Sequence, residues 1–142
     1  MEKDLSQAMP ALEEAQKSVS GVTKKDLNEL RQFANPPKNV KMTLEAVIVL
    51  VRGLKVAPSW PEIKQELRKE EFIPNVISFD KDAVRIEIKK LILDKYLKTA
   101  DWNLDKIQYS SKAAYPLAKW VQSLLFYAEL AEKIQPMRDE VT

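Results

Sequence analysis

The sequence contains no cysteine and no histidine, and only two glycines among 142 residues. Without cysteine no disulfide framework can form, and nothing points to secretion. Without histidine, the commonest metal ligand and the commonest general base near neutral pH are both missing. Two glycines cannot build a phosphate-cradling loop, and they argue against a sheet fold held by many tight turns. Long apolar runs are missing too: the most apolar stretch, Val47 to Val51, is far too short to span a bilayer. Met1-Glu2-Lys3-Asp4 does not open like a signal peptide, so the chain is expected in the cytoplasm.

What is present is helical. Apolar residues make up 45% and charged residues 31% of the chain, with Lys, Glu, Leu and Ala prominent. Two heptad stripes stand near the ends of the chain. The first reads Leu5, Ala8, Leu12, Ala15, Val19, Val22, and the second Leu117, Trp120, Leu124, Tyr127, Ala131, Ile134. Alternating steps of three and four keep a seam on one side of each helix, which predicts two arms paired along that seam. The expected fold is all-α: a small bundle of about five to six helices inserted at the tip of a two-stranded antiparallel coiled coil. Residues 1–34 are expected to form the first arm, 35–116 a head and 117–142 the second arm. Because both ends fall inside helical periodicity, the chain reads as a segment of a larger protein.

The net charge of +2 is unevenly spread, with +4 in the head and −1 in each arm. In the first arm, Pro10 is expected to kink the helix or start it. The stripe changes register after Val22, where the apolar positions become Leu27, Leu30 and Phe33. The change coincides with Gly21 and with Thr23-Lys24-Lys25-Asp26, which resembles an N-terminal capping box. Pro36-Pro37 ends the arm and opens a helix from Pro37 to about Lys55, with Val40, Leu44, Val47, Ile48 and Val51 inward and Lys38, Lys41, Glu45 and Arg52 elsewhere.

Ser59 and Glu62 predict a short capped helix to about Glu71, and Phe72 to Phe79 reads as a buried connector. Asp80 is expected to cap a helix from Lys81 to about Leu97, and Asp101 another to about Gln108. Ser110 or Ser111 opens the last long helix, which Pro116 is expected to bend where head meets arm. Pro136 marks a further irregularity.

No constellation for chemistry appears. Glu70-Glu71 and Asp80/Asp82 fall at a helix end and a helix start, where solvated charge and capping account for them. The serines lack a histidine to activate them. No catalytic residue, metal site or cofactor is expected. The basic excess is too small and the aromatics too interspersed with core positions for a nucleic-acid surface, and no helix reads as membrane-bound. Trp60, Trp102 and Trp120 are expected to pack.

The residues around the head carry a family pattern. Lys25-Asp26-Leu27-Asn28-Glu29-Leu30, leading to Asn35-Pro36-Pro37 and Val40, resembles the end of the first stalk helix of dynein heavy chains. Trp60, then Phe72-Ile73, Val76 and Phe79-Asp80, is similar to the head of that family. Ser111-Lys112-Ala113-Ala114, Lys119-Trp120-Val121, Tyr127-Ala128 and Ile134 with Pro136 continue it, and Pro10-Ala11-Leu12 with Ala15 is similar to its stalk.

The resemblance implies a microtubule-binding tip of a dynein stalk, outside the ATPase ring, whose affinity for α/β-tubulin is switched by sliding of the stalk helices. It implies as partners the microtubule and the rest of the heavy chain. It also implies a filament face of Lys38, Lys41, Arg85, Lys89, Lys90, Lys106 and Lys112, with about half of these serving only as solvated charge. Glu45, four residues from Lys41, is nominated as a tuning partner. Val22, Leu27, Leu30, Pro36, Pro37 and Pro116 are nominated to store and hand on the sliding. The short stretch between Lys69 and Asp80 favours a cytoplasmic-type heavy chain, while Lys112-Ala113-Ala114 is closer to the flagellar pattern. The competing expectation is a non-switching helical hairpin that docks another protein.

Overall fold

The computed structural model describes the backbone of residues 2–54, 56, 58–80 and 84–141, and the side chains of 9–54, 56, 58–80 and 84–131. All regular structure among these residues is helical, and no helix is long and apolar enough to cross a membrane. The helices are α1 (Glu2–Ser20), α2 (Lys24–Arg31), α3 (Lys38–Arg52), α4 (Trp60–Arg68), α5 (Phe72–Ile77), α6 (Ile86–Ile92), α7 (Leu104–Ser110) and α8 (Ala114–Val141). A π-helical turn, Leu93–Leu97, follows α6 directly.

The two terminal helices α1 and α8 pack along each other. Leu12, Ala15 and Val19 of the first stripe are buried, as are Leu117, Trp120, Leu124 and Tyr127 of the second. Leu5, Ala8 and Ile134 lie outside the described side chains. Lys119 of α8 reaches Glu14 of α1 at 3.2 Å and ties the outer edge of the seam. Pro10 lies inside α1, so it does not start the helix.

At Gly21 the arm stops being one helix. The amides of Gly21 and Val22 turn back onto the carbonyls of Ser18 and Val19, closing α1. Thr23 then caps α2 with a full capping box: its hydroxyl accepts from the Asp26 amide at 3.2 Å, and the Asp26 carboxylate accepts from the Thr23 amide at 3.0 Å. The second helix packs against α4. The register change in the sequence is therefore a helix end.

The helix α3 is the centre of the head. Residues 42–50 are buried without interruption, because α4, α5, α6, α7 and α8 surround the helix. It ends at Arg52, short of the expected Lys55, where Gly53 adopts a left-handed conformation (φ 65°) that side chains resist. The stretch read as a connector contains α5, which buries Phe72 and Val76; Pro74 fits because it stands in the first turn, where an amide donor is not needed. Beyond it, Phe79 meets Trp120 edge-on at 6.0 Å between ring centroids, fastening this segment to α8.

Two helix starts differ from expectation, those of α6 and α7, while α8 opens where expected. The helix α6 begins at Ile86, after extended backbone at Arg85, while residues 81–83 of the expected start lie outside those described. Asn103, not Asp101, caps α7 by accepting from the Lys106 amide at 3.1 Å. Ser111 accepts from the Ala114 amide at 3.2 Å and opens α8. Pro116 is the third residue of α8, so its missing N–H breaks no intrahelical bond. Helix α8 continues through Pro136.

Candidate functional site

The first turn of α3, the 99–103 turn and α7 come together at one end of the head. Lys38 forms an ion pair with Asp101 at 2.9 Å, and the Asn39 amide donates to the Ser110 hydroxyl at 3.2 Å. Those two links hold the start of α3 against both the approach to α7 and its last residue. Lys38, Lys106 and Lys112 are exposed, as is Tyr109 at 95%. Arg85 and Lys90 are exposed on α6 and its approach, and α6 packs against α3. Lys89 departs from the filament-facing expectation. It is only 8% exposed, since α6 turns that side toward the head.

Glu45 also differs from its expected position. It lies within the buried run of α3, where the Tyr96 hydroxyl donates to its Oε1 at 2.7 Å. Its other oxygen stands 3.8 Å from the Lys41 ammonium, the pairing anticipated from their spacing. Tyr96 comes from the π-helical turn, whose wider winding sets the ring inside the head at 2% exposure. Burial, then the hydrogen bond and the charge of Glu45, push the Tyr96 hydroxyl well above the usual tyrosine range. The Lys95 ammonium sits 5.7 Å from the centroid of the same ring. Nothing in the sequence singled out Tyr96, because a tyrosine among apolar residues has no pattern that names its hydrogen-bond partner.

Val22, Leu27 and Leu30 are buried, while Pro36, Pro37 and Pro116 are half-buried. Pro37 is the N-cap of α3, and its carbonyl accepts from the Lys41 amide at 3.0 Å. The indoles also pack: Trp60 donates to the Phe33 carbonyl at 2.9 Å, Trp102 to Gln122 at 3.2 Å, and Trp120 is 1% exposed.

The described residues thus form an all-helical head on a pair of packed terminal helices, with exposed cations toward one end of the head. The comparisons give the family. The whole chain, residues 1–142, matches the family model described as the microtubule-binding stalk of dynein motor. It is 42% identical over 139 residues to a cytoplasmic dynein heavy chain of Paramecium tetraurelia, covering 98% of this chain. It is 37% identical to the cytoplasmic heavy chain of Caenorhabditis elegans, covering 99%, and 36% identical to dynein axonemal heavy chain 2 of Homo sapiens, covering 96%. In each case the chain spans 3% of the relative's length. A solved microtubule-binding domain of dynein-C superposes with a TM-score of 0.78 at 25% identity, covering 94% of this chain and 93% of that one. The chain belongs to the family of dynein microtubule-binding stalk domains, a non-catalytic part of those motors.

Proposed function

We propose that this chain binds the microtubule surface, α/β-tubulin, through the end of the head formed by α3, α7 and the turn before α8. The observation that carries this is the joining of Lys38, Lys106 and Lys112 to one end of the head through the Lys38–Asp101 and Asn39–Ser110 links. Lys41, Arg85 and Lys90 extend the face. Lys89, being buried, serves it only by supporting α6. Cations of this kind mainly set encounter rate and orientation toward an acidic surface. Glu45 holds Lys41 from within and so competes with the filament for it.

In the same reading, residues 1–34 and 117–142 are the two stalk arms and 35–116 the head, in a cytoplasmic-type heavy chain whose ATPase ring is joined to the head by the stalk. Displacement of α1 along α8 sets the affinity. Half a heptad is about 5 Å, one helical turn, a shift that re-pairs apolar residues into a second discrete state. The capped break at Gly21 to Thr23 supports this, because it separates the sliding helix from α2, which is anchored on α4. Co-sedimentation with microtubules across a salt series tests the basic face. Binding is expected to weaken steadily as salt rises; binding indifferent to salt, or none, refutes it.

A further inference from the structure

Between α2 and α4, beside the break that ends α1, lies a cleft of about 250 Å³. Its rim carries Lys24, Arg31, Arg68 and Lys69 against a single carboxylate, Glu70. Neighbouring clefts are charged differently. The one lined by Phe72 and Phe79 sets Arg52 and Lys69 against Glu66 and Glu71, and the one beside α1 carries Glu13 and Asp80 with no cation. In the basic cleft, Lys24 reaches Glu70 at 3.6 Å and Lys69 reaches Glu66 at 3.0 Å. Arg31 and Arg68 have no ion pair among the described residues. Val22, Leu27, Leu67 and Ile73 give the cleft an apolar floor.

We infer that this cleft is a docking site for an acidic peptide segment. Lys24 and Arg31 open and close α2 seven residues apart, a separation of about 10 Å along the helix. That is too wide for one phosphate, but it matches carboxylates three residues apart on an extended chain rising about 3.3 Å per residue. The two unpaired guanidinium groups present forked donors that fit carboxylates, and the floor takes the methylene stems of glutamates. The excess of positive charge in a concave site raises the local concentration of such a segment. An occupant would touch α2 and α4 together and clamp them beside the end of α1. The cleft shares no residue with the face of Lys38, Lys106 and Lys112, so the inference stands apart from the filament reading.

The test needs no filament. A dye-labelled hexaglutamate peptide is titrated with the chain at low salt and followed by fluorescence anisotropy, beside hexaglutamine. Saturable binding of hexaglutamate alone is expected, weakened about tenfold by the double variant Arg31→Ala/Arg68→Ala. The double variant Lys17→Ala/Lys98→Ala removes the same charge elsewhere and is expected to weaken binding less than about twofold. Equal weakening by the two variants, displacement by equimolar inorganic phosphate, or no binding overturns the site. If the arginine variant loses its helical circular dichroism, amide NMR shifts on the unaltered chain decide. Shifts confined to Lys24–Arg31 and Arg68–Ile73 support the cleft, and shifts centred on the first turn of α3 and on α7 overturn it.

Discussion

In the proposed reading of the basic face, Glu45 couples stability to recognition through one carboxylate. Its two oxygens face different residues, Tyr96 from inside and Lys41 from the rim. Lys41→Ala leaves that buried carboxylate with one partner fewer, so it is expected to weaken filament binding and also to cost about 1 kcal/mol of stability. Lys112→Ala, exposed in a turn, is expected to weaken binding while changing stability by less than about 0.5 kcal/mol. Urea denaturation and co-sedimentation of the two variants check the contrast.

Tyr96→Phe removes the inner hydrogen bond to a charged group and is expected to cost about 2 kcal/mol near neutral pH. The folded-state pKa of Tyr96 is raised, so its contribution is complete below the ordinary tyrosine value of about 10 and is lost as pH rises above it. The unfolded chain then releases the proton while the folded one keeps it. The stability gap between wild type and Tyr96→Phe is therefore expected to narrow between pH 9 and 11 in urea titrations, and a constant gap refutes the assignment. The Lys41–Glu45 spacing of four was legible in the sequence. The burial of Glu45 and of Lys89 was not, since it depends on neighbours from distant segments.

At the scale of elements, local chemistry was readable wherever a side chain caps its own helix. Thr23 and Asp26 close a reciprocal box, and Ser59 and Ser111 each accept from an amide three residues on. Thr23→Ala is expected to lower stability by about 1 kcal/mol, seen as an earlier urea midpoint with an unchanged slope. One cap differs from the residue expected, standing at Asn103 and not at Asp101. Asp101 and Asn103 are equally good caps, but Lys38 engages Asp101 and leaves Asn103 to start α7. The same limit applies to the Phe72–Ile77 segment, whose apolar run does not distinguish a buried connector from a short helix.

For the whole molecule, the two end stripes determine that α1 and α8 meet, and the capped break determines that α2 leaves them. If displacement of α1 sets the affinity of the head, fusing the chain to a rigid coiled coil in two registers half a heptad apart is expected to give microtubule affinities differing by about tenfold or more. Equal affinities in the two fusions would sink the switching proposal and leave a static docking head.

The sequence by itself determined the helical class, the heptad seam, most caps and the family, because these are encoded in short-range spacing and in motifs carried along the chain. Tertiary structure decided which charges are available. Lys89 and Glu45 become buried because packing around α3 and α6 encloses them, and Lys38, Asn39, Asp101 and Ser110 become one end of the head because α7 folds back on α3. The basic cleft likewise exists only once α2 breaks from α1 and lies on α4. Burial and pairing are properties of three-dimensional neighbours, and no periodicity along one strand of sequence specifies them.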